Sequence, residues 1–405
     1  MKWHHNLLVG VIDGLEEIFL HNKQAVKVLE KLIDENKKWG SRDRKIVLST
    51  IYDTVRWIRK YGYCSSIEEL TSRKDLWDIL GTFIVLKGEI IPDSIEFLDI
   101  NSKEILKKEN EIINNRKINE SIPDWLDEMG LNDFGEALWS KEVKAFNTRS
   151  SLVLRCNTLK TNIKELKKLL KIENIDTLLK KEYPNALFVI DHKKVTNLSL
   201  YKSGFFEIQD ANSQNVAISC NLKPGMTIID ACAGAGGKTI HMGSILKNKG
   251  EIIALDPYDT KLKELVRRAK RNGITIIKTL NTSKNKNISK LIGKTDRVLI
   301  DAPCSGLGVL KRNPDTKWKM NPEKIKKLIK TQEYLINYWS KYVKPGGELI
   351  YATCSIFHQE NKNQIKIFLN TKAGKKFIIK NEKTHFSHKT GFDGFYIAQL
   401  VKSCE

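Results

Sequence analysis

Downstream of residue 205 the chain alternates short apolar runs with longer stretches that are apolar along one side only. The runs at 227–232, 251–255, 274–280, 297–302, 348–353, 375–380 and 394–402 read as strands, because a short apolar run bounded by turn residues suits a buried strand. Helices are expected between them at 237–247, 258–272, 285–292, 321–342 and 358–370. Such alternation argues for a mostly parallel sheet, with the last two strands as an antiparallel hairpin at one edge. Upstream, residues 1 to about 115 carry helical spacing only, as in Ala25, Val28, Leu29, Leu32 and Ile33, or Ile46, Val47, Ile51, Val55 and Ile58. Ser41 and Asp43 can supply the N-cap of that second run. The polar stretch 114–121 before Pro123 reads as a linker, followed by helix to about 146. A small α/β unit comes next, with strands at 152–155 and 186–190 around a lysine-rich helix at 162–170. The pattern thus divides into an all-α region (1–115), linker helices with a small α/β unit (122–204), and an α/β domain (205–405).

Charge adds a partner to this picture. The 405 residues include 69 Lys+Arg against 48 Asp+Glu, a net charge of +21. An excess of this size points to a nucleic acid or another anionic surface; a well-solvated, lysine-rich exterior is the competing explanation. Arg42, Arg44, Lys45, Arg56, Arg59 and Lys60 lie on or near one helix, and Lys167, Lys168 and Lys171 on the small unit's helix. The seven cysteines (Cys64, Cys156, Cys220, Cys232, Cys304, Cys354 and Cys404) form no C-x-x-C pair. Neither a disulfide framework nor a metal site is expected from them. The apolar patch at 7–12 is too short for a signal peptide, and no stretch approaches a membrane span. A soluble, cytoplasmic protein that binds no metal and works as a monomer is expected.

The first strand of the α/β domain runs into Asp230-Ala231-Cys232-Ala233-Gly234-Ala235-Gly236-Gly237-Lys238-Thr239. Glycines there let backbone approach a ligand and turn into a helix. A dinucleotide G-x-G-x-x-G from Gly234 fails at Thr239, and a phosphate-binding loop ending Gly237-Lys238-Thr239 fails at Cys232. The second near match keeps a nucleoside-triphosphate enzyme as a rival. The second strand ends at Asp256, about 20 residues beyond the loop, where a carboxylate accepts both hydroxyls of an adenosine ribose; it is equally suited to capping the helix after Pro257. A glycine loop with a ribose carboxylate and no phosphate site suggests S-adenosylmethionine.

Two further stretches, Asp301-Ala302-Pro303-Cys304-Ser305-Gly306 and Tyr351-Ala352-Thr353-Cys354-Ser355, each follow an apolar run. Both cysteines therefore fall beyond the carboxyl ends of strands, where open α/β sheets bind ligands. Methylating a pyrimidine at carbon 5 requires a thiolate at carbon 6, an acid beside ring nitrogen 3 and a second group to assist release. Asp301, Cys304 and Cys354 supply all three.

These residues resemble the Nop/Sun-type RNA 5-methylcytosine methyltransferases, and within them the bacterial ribosomal-RNA subgroup with a NusB-like amino-terminal domain, the RsmB type. Supporting stretches include Arg155 to Lys160, Gln209 to Gln214, Arg312 to Asp315, Lys317-Trp318, Lys344 to Gly347 and Asp393 to Tyr396. The resemblance implies a Rossmann-like, seven-stranded methyltransferase core behind a small α/β unit and a NusB-like RNA-binding domain. It implies that Cys354 is the nucleophile, Cys304 the thiol assisting release, Asp301 a contact to the cytosine and Lys238 a neighbour of the reacting ring. S-adenosylmethionine would lie along Ala231, Cys232, Ala233, Gly234, Ala235, Gly236 and Gly237, with Lys238 and Asp301 at its reacting end and its ribose on Asp256. DNA enzymes of similar chemistry attack with the Pro-Cys cysteine, so Cys304 competes for the nucleophile's role. Asn281 stands where the family usually carries an aspartate for the adenine amino group; its amide oxygen can accept that hydrogen bond without the charge. The implied partner is RNA, small-subunit ribosomal RNA above all. Transfer RNA with the same chemistry, or a catalytically silent RNA-binding protein, are the alternatives.

Overall fold

The computed structural model describes residues 3–190, 194–284 and 288–404. They group into two compact units, Met1–Thr148 with Leu310–Pro322, and Arg149–Val309 with Glu323–Glu405.

The first unit is helical. Its principal helices are His5–Phe19, Ala25–Glu35, Ser41–Cys64, Arg73–Leu86, Ser102–Glu111 and Asp124–Phe146. Leu8, Val11, Ile12 and Leu15 meet Val47, Ile51, Val55, Leu80 and Ile84 in one core, which is the apolar side expected from the helical spacing. The third helix begins differently from expectation: Gly40 is its N-cap, and Asp43 accepts the Gly40 N–H at 3.1 Å. Arg56 is not on a solvated face. It is buried, and its guanidinium donates to the carbonyls of Phe146 and Lys311 at 3.1 and 3.0 Å. Arg59 pairs with Asp124 and Lys60 with Glu109, whereas Arg42 and Lys45 stay exposed. The distal segment 310–322 is stitched into this unit. Asp315 accepts the Ala25 N–H, Lys317 donates to the Arg56 carbonyl, and the Trp318 indole donates to the Val55 carbonyl.

The second unit holds two sheets. β1 (Val153–Cys156), β2 (Thr177–Leu179), β3 (Ala186–Val189) and β4 (Phe206–Ile208) form an antiparallel sheet in the order β2-β3-β1-β4. β2 and β4 are absent from the expected pattern because three residues are too few to show a period. β5 (Thr227–Asp230), β6 (Glu251–Asp256), β7 (Ile277–Asn281), β8 (Thr295–Asp301), β9 (Val343–Thr353), β10 (Phe377–His385) and β11 (Phe395–Lys402) form the second sheet, in the order β10-β11-β9-β8-β5-β6-β7. β5 to β9 run parallel, and β11 pairs antiparallel with β9 and β10. This is the seven-stranded, Rossmann-like methyltransferase sheet expected, with its hairpin at one edge. The order reverses between β5 and β8, so their carboxyl ends open a crevice there.

Two helices differ from expectation. Of the helix expected at 285–292, residues 285–287 lie outside the described residues, and the rest is a 3-10 turn, Ser289–Leu291, ended by extended Ile292 and left-handed Gly293. The helix expected at 358–370 is a 3-10 turn His358–Glu360 and a helix Lys362–Leu369, broken at Asn361 (φ −122°, ψ −106°).

Candidate active site

β5 ends at Asp230, and the chain turns through Ala231–Gly236 into the helix Gly237–Ile245. Gly236 adopts φ 85°, and a Cβ there would lie 2.5 Å from Leu265 Cγ, so only glycine fits. The loop is pinned to the end of β6: Ala233 N–H donates to the Leu255 carbonyl at 2.8 Å, and Gly234 N–H to Asp256 Oδ2 at 3.1 Å. Asp256 Oδ1 accepts the Tyr258 N–H at 2.9 Å, but the helix Asp259–Asn272 has Tyr258 as its N-cap and no side-chain cap bond, so Asp256 holds the turn before that helix and the glycine loop rather than capping the helix.

A cavity of about 440 Å³ opens over these ends. Ala231, Cys232, Gly234, Asp256 and Asp301 line it, and Tyr258, Tyr334, Tyr338 and Trp339 supply much of its apolar wall. Ala233, Ala235, Gly236, Gly237 and Lys238 shape the loop without lining the cavity. Asn281 does not line it either. Its amide oxygen already accepts the Ser283 N–H at 2.8 Å, and its amide nitrogen donates to Asp259 Oδ1 at 2.5 Å. The acceptor that the sequence pattern offers to an adenine is therefore turned to the Ser283 N–H rather than lining the cavity. Behind the loop Asp230 is fully buried; Oδ2 accepts from Thr239 Oγ1 at 2.7 Å, while Oδ1 meets no well-formed hydrogen-bond donor among the described residues. Burial pushes its carboxyl up to about 7.

Lys238 donates to Asp301 Oδ2 at 2.5 Å. Burial alone would lower the ammonium's pKa, but the charge and hydrogen bond of Asp301 raise it overall, with a smaller contribution from Cys354. Asp301 sits opposite Ala352 in the β8–β9 ladder, so the two cysteine loops leave the sheet side by side. Their sulfurs lie 3.2 Å apart. The hydrogen bond with Cys354, burial, and the charges of Cys354 and Glu360 all push the Cys304 thiol well above its ordinary range.

Backbone contacts hold that separation. Gly308 N–H donates to the Cys354 carbonyl at 2.9 Å, and Gly394 N–H to the Gly308 carbonyl at 2.7 Å. A Cβ on Gly308 would lie 2.8 Å from the Cys354 oxygen and closer still to that of Gly394. Side chains add a second brace that sequence reasoning missed. Glu360, fully buried, accepts the Ser305 N–H (2.8 Å) and Gln332 Nε2 (3.1 Å) on Oε1, and Ser305 Oγ (2.5 Å) on Oε2. Gln332 Nε2 also donates to the Pro303 carbonyl at 3.0 Å. Asn361 bonds Thr353 Oγ1 at 2.5 Å and the Ser355 carbonyl at 2.9 Å. Adjacent residues thus grip one cysteine loop each. The available signal was their position in the turn shortly after Cys354.

The small sheet reaches the glycine loop through two arginines. Arg155 of β1, buried, donates to the Gly237 carbonyl at 2.7 Å and to Gln209. Arg268 donates to the Ala235 carbonyl at 2.9 Å and is held by Glu207 of β4 at 2.8 Å. On the small unit's helix, Lys171 is paired with Asp176, and Lys168 is exposed.

Residues 217–401 match the family model for 16S rRNA methyltransferase RsmB/F, and residues 122–196 match the ferredoxin-like domain of the RsmF/B-like methyltransferases. A probable ribosomal RNA small subunit methyltransferase B of Synechocystis is 33% identical over 299 residues, which cover 70% of this chain and 67% of that one. The ribosomal RNA small subunit methyltransferase B of Vibrio vulnificus is 34% identical over 286 residues, covering 69% and 66%. The chain therefore aligns with about two thirds of these relatives' length. The crystal structure of PH0851 shares the fold across 99% of this chain and 100% of its own, with a TM-score of 0.81 and 23% identity. Among the described residues no helix is long and apolar enough to cross a membrane.

Proposed function

Because the chain belongs to the RsmB/F family of 16S rRNA methyltransferases, we propose that it methylates carbon 5 of a cytosine in 16S ribosomal RNA, with S-adenosylmethionine, through a covalent adduct at carbon 6. The observation that carries this reading is the pair of sulfurs 3.2 Å apart beside the Lys238–Asp301 ion pair.

The cavity suits the cofactor. Its volume lies within the range of small-molecule sites, and of its charged lining residues the two acids, Asp256 and Asp301, outnumber the one cation, Lys261, which favours a cationic sulfonium over the phosphates of ATP. When bound, the cofactor supplies an electrophilic methyl group. Asp256 holds the ribose hydroxyls, since a carboxylate oxygen that accepts one N–H keeps further lone pairs for other donors. Cys354 adds as its thiolate to carbon 6, which moves electron density to carbon 5 and toward nitrogen 3. Asp301 relays a proton from the Lys238 ammonium to nitrogen 3, so the adduct does not accumulate negative charge. After carbon 5 has gained its methyl group, its proton leaves to water, and nitrogen 3 returns its proton through Asp301 to Lys238. The electrons of that C–H bond restore the ring double bond, and Cys354 departs as a thiolate. Cys304 assists by donating its S–H to the departing sulfur. A ring carbon is out of reach within a stacked duplex, so the cytosine enters flipped out or from a loop. The helical unit is read as a NusB-like RNA-binding domain, with exposed Arg42 and Lys45 there, and Lys168 on the small α/β unit, meeting phosphates.

Incubating Cys354→Ala and Cys304→Ala with substrate RNA and S-adenosylmethionine, then running a denaturing gel, tests the assignment. Cys354→Ala is expected to give neither adduct nor product, and Cys304→Ala to accumulate an enzyme–RNA adduct. The reverse pattern would exchange the two roles. Methylation retained in both variants would end the thiolate mechanism.

A further inference from the structure

Two sulfurs 3.2 Å apart share one site, and ionising both would place like charges in contact. Something must decide which one keeps its proton. Cys304 and Cys354 are both half-buried, so exposure does not distinguish them. Their surroundings do. Beside Cys304, the Ser305 N–H and hydroxyl both end on the Glu360 carboxylate, which is fully buried and receives hydrogen bonds from Ser305 and Gln332. Beside Cys354, the Thr353 and Ser355 positions end on the neutral amide of Asn361, and the Lys238 ammonium is near enough to interact with the Cys354 charge. One loop is therefore held by an acid, the other by an amide.

We propose that Glu360 is a positioning residue: through Ser305 it fixes the Cys304 sulfur against Cys354, and its charge there keeps the proton on Cys304, leaving Cys354 as the sulfur that attacks. This inference rests on the methyltransferase reading above for its purpose, but the site it describes is in the chain without RNA or cofactor. The other titratable groups facing the two sulfurs are Tyr351, whose hydroxyl donates to the Glu360 carbonyl at 2.7 Å, and the Lys238–Asp301 ion pair. The Lys238 ammonium acts on Cys354, whereas the charges acting on Cys304 are those of Cys354 and Glu360, both negative. The direction of the Cys304 shift, raised in part by Glu360, agrees with the geometry. A protonated Cys304 is also what release requires, because only a thiol can donate a hydrogen bond to the departing Cys354 sulfur.

The test follows alkylation of each cysteine by iodoacetamide across pH in the full chain, with the two sites read separately by peptide mass. In the unsubstituted protein Cys354 is expected to label at lower pH than Cys304. Glu360→Gln keeps the side chain's shape and removes its charge. It should speed Cys304 labelling at fixed pH about tenfold, the equivalent of about one pH unit. Glu360→Asp should return the profile toward the original. A purely structural anchor would change the melting temperature without moving the pH profile. Cys304 labelling before Cys354 in the unsubstituted protein would overturn the proposal, even if Glu360→Gln failed to fold. So would a folded Glu360→Gln with both profiles unchanged. The expected labelling together with no RNA methylation under any condition would instead overturn the proposed function.

Discussion

Gly308→Ala probes how closely the two cysteine loops must be held. Gly308 lies in the Cys304 loop, and its new Cβ would stand 2.8 Å from the Cys354 carbonyl oxygen, with the Gly394 carbonyl nearer still. Both obstacles are backbone, so neither can rotate away as a side chain would. Ordinary contact begins near 3.4 Å, so the Cys354 contact alone requires a retreat of about 0.6 Å, the nearer Gly394 carbonyl requires about twice that, and Cys304 is carried with the loop. The hydrogen bonds from Gly308 N–H to Cys354 and from Gly394 N–H to Gly308 would be stretched together, a loss of about 2 kcal/mol at the usual net worth of such bonds. Misplacement by about 1 Å can reduce a rate about 100-fold, so a 10- to 100-fold fall in single-turnover methyl transfer is expected. Tritiated S-adenosylmethionine and a ribosomal RNA transcript provide the assay, with RNA affinity and melting temperature measured alongside. A rate within about threefold of the original, with an unchanged melting temperature, would refute the idea that this backbone contact sets the geometry.

Two other substitutions have equally definite outcomes. Asp230 carries a folded pKa of about 7, raised by burial from 3.8, so the folded state holds an extra proton between those values. Stability should therefore fall as pH rises from about 4 to 7, with a slope of at most about 1.4 kcal/mol per pH unit. Asp230→Asn should flatten that slope in pH-dependent thermal melts; an unaltered slope would assign it elsewhere. Asn281→Asp sets a second carboxylate against Asp259, which now accepts from the Asn281 amide. Its melting temperature should lie below the original at pH 7, and the gap should narrow only as the pH falls to about 4 and below, since Lys284 holds the Asp259 carboxyl below its ordinary range; a gap that does not depend on pH would mean that the two side chains do not meet.

Strands that were short, apolar and bounded by turn residues could be read directly from the chain, because burial on both faces leaves an uninterrupted run such as Val298-Leu299-Ile300. The three-residue strands β2 and β4 could not, since Leu178, Leu179 and Ile208 are partly exposed and no period fits so short a stretch. Cys304, Cys354, Asp301 and Lys238 were legible as site candidates because their neighbours form recognisable strings, and the structure brings them together. Glu360, Asn361 and Gln332 were not. In His358-Gln359-Glu360-Asn361-Lys362 a glutamate looks like an ordinary surface residue of a helix, and only the break at Asn361 turns it inward beneath Ser305. Arg56 misled in the opposite sense. Its basic neighbours suggest a solvated face, yet carbonyls from distant parts of the chain surround its guanidinium. Asn281 was located correctly at the end of β7, but its hydrogen bonds to Ser283 and Asp259 depend on how the following turn closes.

The segment 310–322 bears on how the protein is made. It completes the helical unit through Asp315, Lys317 and Trp318, although the rest of that unit ends at Thr148. A ribosome therefore delivers nearly all of the first unit early and its last piece only after β5 to β8 have been synthesised. At ordinary elongation rates the interval is roughly ten to thirty seconds. During that time the Ala25 N–H and the carbonyls of Val55 and Arg56 lack the partners that later cover them. Until then those backbone groups are left to water, as they would be in a truncated version ending near residue 148.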